Sequence, residues 1–173
     1  MIYYTADLHF GHKNIIEYED RPYKDVHEMT IKLIENWNSK VKLNDDIYVL
    51  GDFAFVGKNL PMDILMSFIN QLNGKIHLIR GNHDSWVDKK SFNPRLFESI
   101  DYYKEIKDQG KDIVLCHYPI EDWDCKHHGA IHIHGHIHGR DLISHLPNRF
   151  NAGVDVNDYK PVTLEELKKK GAL

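Results

Sequence analysis

Five short signatures of aspartate, asparagine and histidine are spread along the chain, and each follows an apolar run of strand length. They are Asp7-Leu8-His9, Gly51-Asp52, Gly81-Asn82-His83-Asp84, His117 and Gly135-His136-Ile137-His138. Carboxylate, amide and imidazole groups without cysteine form a mixed oxygen and nitrogen ligand set, which suits Mn, Fe, Zn, Ni or Co ions. These signatures contain more candidate ligands than one tetrahedral ion can use. Two ions sharing a bridging carboxylate, about 3.5 to 4 Å apart, would use them and would support a displacement at phosphorus.

Histidine is unusually frequent in this chain. It accounts for 13 of the 173 residues, and eight of the 13 lie between His117 and His145. An internal histidine cluster of this kind is typical of metal binding or proton transfer. Two of these residues, His132 and His134, alternate with isoleucine and therefore share one strand face. We expect these two to be structural histidines, with support for neighbouring ligands as the alternative.

The elements that must position these signatures can be predicted from hydrophobic periodicity. Apolar runs predict strands over residues 2–5, 47–50, 76–79, 113–115 and 130–133. Helical spacing predicts helices over residues 25–40, 61–72 and 163–171. Strands alternate with helices at first and follow one another after about residue 110, which predicts a layered α/β or α+β fold. Because ligands bind outside the carboxyl ends of strands in open α/β sheets, the five signatures should meet in one place.

Composition limits the class of protein. With 42% hydrophobic and 28% charged residues, the chain is expected to form a single domain over residues 1–173. A formal charge of −4 without a basic block disfavours tight non-specific binding of nucleic acid.

The sequence has no apolar run of spanning length and no signal peptide, so we expect a cytoplasmic protein without a membrane partner. The two cysteines, Cys116 and Cys125, are expected to be reduced thiols. Oligomeric state leaves no mark in the sequence.

In this order, the five signatures resemble the motif set of calcineurin-like metallophosphoesterases, over residues 1–138. The resemblance is to the small single-domain prokaryotic or phage members of that family. It implies a β-sandwich flanked by helices and the metal-dependent hydrolysis of phosphoric esters. It also implies a set of roles for individual residues. In that set Asp7, His9 and His138 hold one metal, Asn82, His117 and His136 hold the second, Asp52 bridges both, and His83 is the proton donor.

A site of this kind has a defined chemistry. A hydroxide that bridges two divalent or trivalent ions, manganese among them, has a lowered pKa and would be the nucleophile. His83 would protonate the leaving oxygen as a general acid. We expect a small phosphate ester as substrate, and we favour a phosphodiester because a short chain has little room for a deep, closing pocket. The alternatives are a phosphomonoesterase, a nucleotide phosphatase, or a non-catalytic scaffold with the same fold.

Some residues near the signatures have less defined roles. His12 and Arg140 are candidates for contact with the substrate, and the alternatives are a solvated histidine and a surface arginine. Gly51-Asp52 continues as Phe53-Ala54-Phe55, unlike in the protein Ser/Thr phosphatase branch, so the group that orients His83 is not identified. Asp84, next in sequence, is one candidate. Three aromatic residues are expected either in the core or as a surface for a stacked nucleobase. They are Phe10, Phe53 and Trp86.

Overall fold

Two four-stranded sheets form the framework of the described residues, which are 1–58, 60–140 and 145–171 of the computed structural model. The first sheet is parallel and has the strand order β1-β2-β3-β4. Its strands are β1 (Ile2–Thr5), β2 (Asp46–Leu50), β3 (Lys75–Ile79) and β4 (Ser99–Asp101). Helices α1 (Asn14–Tyr18), α2 (Val26–Lys40) and α3 (Met62–Ile69) lie in the connections between the first three strands.

The second sheet is mixed and has the order β5-β6-β7-β8. Its strands are β5 (Tyr103–Asp108), β6 (Lys111–Cys116), β7 (Ile131–His134) and β8 (Arg149–Asn151), and helix α4 (Leu164–Gly171) follows. Strands β5 and β6 form an antiparallel hairpin, whereas β7 and β8 are parallel to β6. The predicted layered α/β fold class is therefore confirmed.

The first sheet is buried on both faces, which explains why its strands read as continuous apolar runs. One face packs against α2 and α3 through Val49, Leu33 and Leu65. The other face packs against the second sheet, where Leu50 shares a cluster with Leu115. Because neighbouring residues of a strand point to opposite faces, each strand contributes to both cores.

Local capping signals set the helix boundaries that the sequence predicts. The Asp25 carboxylate accepts a hydrogen bond from the Glu28 amide at the start of α2, at 2.8 Å. Before α4, the amide of Thr163 donates to the Glu166 carboxylate, and the Glu166 amide donates to the Thr163 hydroxyl. These are the side-chain to backbone bonds of a capping box. Sequence reasoning missed α1, β4, β5 and β8, because each is short or exposed and lacks a buried apolar run.

Strand register brings the polar signatures to one edge. Thr5 pairs with Val49, and Leu50 pairs with Ile79, so the carboxyl ends of β1, β2 and β3 lie side by side. In the second sheet β6 and β7 are likewise parallel. Each signature begins within two residues of the end of its strand. Among the described residues, no helix has both the length and the apolar character required to cross a membrane.

Candidate metal centre

The residues that the sequence nominates as metal ligands meet at the carboxyl ends of the strands. Three groups of side chains each have potential ligand atoms within 4.8 Å of one another. These groups are Asp7 with His9 and His138, His9 with Asp52 and His83, and Asp52 with His117 and His136. We call Asp7, His9 and His138 the inner cluster. The outer cluster consists of Asn82, His117 and His136, and the Asn82 side-chain oxygen lies 3.1 Å from Nε2 of His117.

Asp52 lies between the two clusters. Its Oδ2 atom is 3.6 Å from Nε2 of His9 and also 3.6 Å from Nε2 of His117. Its other oxygen, Oδ1, accepts a hydrogen bond of 2.9 Å from the backbone amide of His83. The carboxylate is buried and fixed in orientation, with one oxygen facing both clusters at equal distance.

The backbone at the centre adopts an unusual conformation. Asp52 and four residues of the two clusters have positive φ, from 51° to 72°, although none of the five is glycine. They are Asp7, His9, Asp52, His136 and His138. Non-glycine residues rarely adopt this left-handed conformation, and such strain concentrates at functional sites. Position 51 requires glycine because the His117 ring packs directly against its backbone. A Cβ on Gly51 would lie 2.2 Å from Nδ1 of His117.

Electrostatics at the inner cluster favour a bound cation. Burial raises the pKa of Asp7 to about 8, so its ionised form is costly without a compensating positive charge. Burial, followed by the charge of Arg21, lowers the pKa of His9 and keeps its ring neutral. Its Nε2 is buried and has no hydrogen-bond partner. An unpartnered imidazole nitrogen beside a carboxylate fits a metal ion, because neutral imidazole and ionised carboxylate are the forms that coordinate metals.

A buried ionic network stands behind the inner cluster. Nδ1 of His138 lies 2.7 Å from the Asp155 carboxylate, which also forms an ion pair with Arg21 through two nitrogens. The Arg21 guanidinium donates further bonds to the carbonyl oxygens of Asp7 and Leu8. Burial disfavours the charged form of His138, but the bond to Asp155 and the proximity of Asp7 outweigh this, so its pKa is raised. The network therefore links the loop that carries Asp7 to the ring of His138.

The outer cluster is held differently. Nδ1 of His117 lies 2.7 Å from the carbonyl oxygen of Leu50, which leaves Nε2 directed towards Asp52. His136 is half-buried, and its ring packs edge to face against Tyr118 with the centroids 4.7 Å apart. Burial lowers the pKa of both histidines. Asn82 is exposed. The outer cluster therefore faces the solvent more openly than the inner one.

Among the described residues, the Asp84 carboxylate bonds to backbone amides and an indole, and it forms no hydrogen bond with the ring of His83. Its buried carboxylate accepts hydrogen bonds from the backbone amides of Asp52, Phe53 and Gly81, and from the indole of Trp86. The residue therefore positions the loop that carries Asp52, and the suggestion that it also orients the His83 ring stays a prediction. The sequence could not show this, because consecutive residues on a turn point in different directions.

The remaining predicted residues have defined places. His12 and Arg140 line the same cleft as His83, a cavity of about 430 Å³ whose lining includes residues of both clusters. His132 and His134 are buried and bonded to backbone carbonyl oxygens, as expected for structural histidines. Among the described residues, Cys116 and Cys125 are free. Phe10, Phe53 and Trp86 are core residues, so the idea that they stack a nucleobase is wrong.

The sequence analysis missed Arg21 and Asp155. These residues lie 134 positions apart, and neither belongs to a signature that follows a strand. Arg21 precedes a proline and Asp155 lies in a short 3-10 helix, so no local pattern marks either one. Only the folded chain shows that a buried arginine is paired here.

Comparison with known proteins finds similar sequences and similar folds. A family model described as calcineurin-like phosphoesterase matches residues 1–108. An uncharacterized protein of Methanocaldococcus jannaschii is 37% identical over 97% of this chain and 89% of its own. A crystal structure of an Aquifex aeolicus protein of unknown function has a TM-score of 0.75 and 28% identity, with 98% of each chain covered. The structure of an archaeal phosphodiesterase has a TM-score of 0.52 at 18% identity, covering 88% of this chain and 81% of that one.

The fold and the site define a metallophosphoesterase. The chain belongs to the calcineurin-like phosphoesterase family. The resemblance noted from the five signatures is thereby confirmed, and so is the class of enzyme, a metal-dependent hydrolase of phosphoric esters. Membership implies divalent metal ions, and the side-chain clusters described above can hold them.

Proposed function

We propose that the protein is a binuclear metal-dependent phosphodiesterase. The observation that carries this proposal is the position of Asp52, whose Oδ2 lies 3.6 Å from one histidine of each cluster. A carboxylate oxygen placed equally between two ligand sets is suited to bridge two cations. The inner cluster would hold one ion and the outer cluster the other, with Mn, Fe, Zn, Ni or Co as the candidates.

Individual residues of the site have separate roles in the proposed reaction. When bound by the two clusters, the cations would neutralise charge at the phosphoryl group and would lower the pKa of a water molecule that serves as the nucleophile. His83 is half-buried and lines the cleft, with its amide bonded to Asp52 and its ring 5.2 Å from that of His9. From there it would act as general acid and protonate the leaving oxygen. Arg140 lines the cleft and can donate to a phosphoryl oxygen.

The charge of the cleft favours a diester over a monoester. Among the described residues that line it, Arg140 is the single lysine or arginine, whereas Glu19 and Asp52 are acidic. A diester has one negative charge, whereas a monoester dianion has two and would require more compensation. The overall charge of −4 also favours a small phosphate ester over a long nucleic acid.

The test compares bis(p-nitrophenyl) phosphate with p-nitrophenyl phosphate. Chelator-treated protein is titrated with Mn²⁺, and we expect diester hydrolysis to rise from zero to a plateau near two equivalents. We expect the diester to exceed the monoester in kcat/KM by about tenfold or more. A faster monoester would instead indicate a phosphomonoesterase or nucleotide phosphatase. Folded protein that binds two equivalents of any candidate metal and hydrolyses neither ester would be a non-catalytic scaffold.

A further inference from the structure

Three aromatic side chains form one side of the cleft, and we call them the aromatic wall: His12, Tyr18 and Phe55. The rings of His12 and Phe55 are stacked, with centroids 4.6 Å apart and planes within 16°. The Tyr18 ring packs edge-on against His12 at 6.3 Å. All three line the cavity, as do Asp52 and residues of both clusters. The wall is therefore continuous with the metal centre.

The exposure of Phe55 has no explanation in the packing of the core. The neighbouring Phe53 is fully buried, whereas Phe55 is 45% exposed and Tyr18 is 67% exposed. The backbone is nevertheless fixed, because the amide of Phe55 donates to the carbonyl oxygen of Phe10 at 2.8 Å. Exposed apolar surface that is held rigidly beside polar catalytic groups is typical of a ligand site.

The wall lies on the His83 side of the centre. The ring of His83 is 5.6 Å from that of Phe55 and 6.0 Å from that of His12. On the proposed function, His83 protonates the leaving oxygen, so a group resting on the wall belongs to the leaving alcohol. Glu19 follows Tyr18 and lines the same cleft, where a carboxylate can accept bonds from hydroxyl groups.

We propose that the aromatic wall binds the nucleobase of a leaving nucleoside, so that the substrate is a small nucleoside phosphodiester. This inference rests on the proposed function for its position and names the substrate class of the same site. A flat aromatic face stacks any nucleobase, and the pentose would connect it to the phosphoryl group. Hydroxide formed from water adds to phosphorus, the bond to the nucleoside oxygen breaks, and that oxygen takes its proton from His83. The proton lost by the water restores His83.

The first experiment measures binding by calorimetry to Mn²⁺-loaded protein. Ribose 5-phosphate has a hydroxyl group where adenosine 5′-monophosphate has the base, and we expect the nucleotide to bind about tenfold more tightly. Phe55→Ala should remove this preference, and Phe55→Trp should retain it. The matched control is Tyr103→Ala, since Tyr103 is 44% exposed on β5 and does not line the cleft. Equal binding of both compounds to the unaltered protein would overturn the proposal.

The second experiment identifies the bond that breaks. Methyl adenosine-5′-yl phosphate should yield adenosine and methyl phosphate, and the analogue without the base should have a higher KM with a similar kcat. Preferential release of methanol would contradict the assignment of the wall to the leaving group. If bis(p-nitrophenyl) phosphate is not hydrolysed, the proposed function fails, and the binding comparison still decides whether the wall recognises a base.

Discussion

The two clusters of the metal centre differ in how the protein holds them. All three residues of the inner cluster are buried, and an ionic network of Arg21 and Asp155 supports them from behind. In the outer cluster His117 is buried, but Asn82 is exposed and His136 is half-buried. Support there comes from the carbonyl oxygen of Leu50 and from packing on Tyr118.

On the proposed function, this difference gives the two clusters different tasks. A ligand whose second nitrogen is bonded to a carboxylate has a fixed orientation and a more basic coordinating nitrogen, which strengthens metal binding. His138 has such a partner in Asp155, whereas His117 has a neutral carbonyl oxygen. We therefore expect the inner cluster to bind its ion more tightly. The outer cluster, open to the cleft, is better placed to exchange solvent for substrate.

The largest effect is expected where the two clusters share a residue. Asp52→Asn removes a negative charge from between both, so it should weaken both binding steps and lower kcat/KM by about 10³-fold or more. Calorimetry with Mn²⁺ and diester hydrolysis measure the two effects. Asp63→Asn, on the exposed face of α3, is the control. Retention of two tight sites in Asp52→Asn would exclude the bridging role.

A variant of His83 tests whether proton donation can be lost while both clusters still bind metal. His83→Ala should retain two metals and slow the hydrolysis of alkyl esters by about 10²- to 10⁴-fold. The loss should be smaller for nitrophenyl esters, because nitrophenolate leaves without a proton. The exposed His128 provides the control, as His128→Ala. Equal losses for both ester types would remove the general-acid assignment.

Asp155 sharpens the comparison because it acts on the inner cluster alone. Asp155→Asn should weaken the tighter metal site by about 10- to 100-fold and leave the weaker site unchanged. Two-site calorimetry separates these steps. Asp158→Asn, three residues away with an 89% exposed side chain, is the matched control. Equal weakening at both sites would show that the network does not distinguish the clusters.

The smallest effect concerns a buried histidine outside both clusters. Burial lowers the pKa of His134 from 6.5 to about 3, so protonation favours the unfolded chain below pH 6.5. Its contribution to stability is present above that pH and is lost as the pH falls towards 3. Between pH 7 and 5.5 this contribution to the free energy of unfolding should fall by about 1 kcal/mol. Urea unfolding should show a flatter pH dependence for His134→Gln than for the exposed-site control His27→Gln. The same slope in both variants would contradict this.

Sequence reasoning located the centre because its signals are local. A buried parallel strand reads as an apolar run, and the polar residues after it must lie at the edge where neighbouring strands also end. This was sufficient to predict β1, β2, β3, β6 and β7 and the residues that follow them. The family resemblance then assigned roles to those residues, and the structure brings them together without testing each role.

Other features depend on contacts between distant parts of the chain. Phe53 and Phe55 have the same side chain and lie two residues apart, yet one is in the core and the other is in the cleft. Arg21 and Asp155 pair across 134 residues, and the Asp84 carboxylate binds amides 31 and 32 positions away. The order and types of the ligand residues were determined by the sequence alone. Which aromatic rings face the cleft, and which charges support each cluster, was decided by tertiary packing, because no local periodicity encodes a partner so far along the chain.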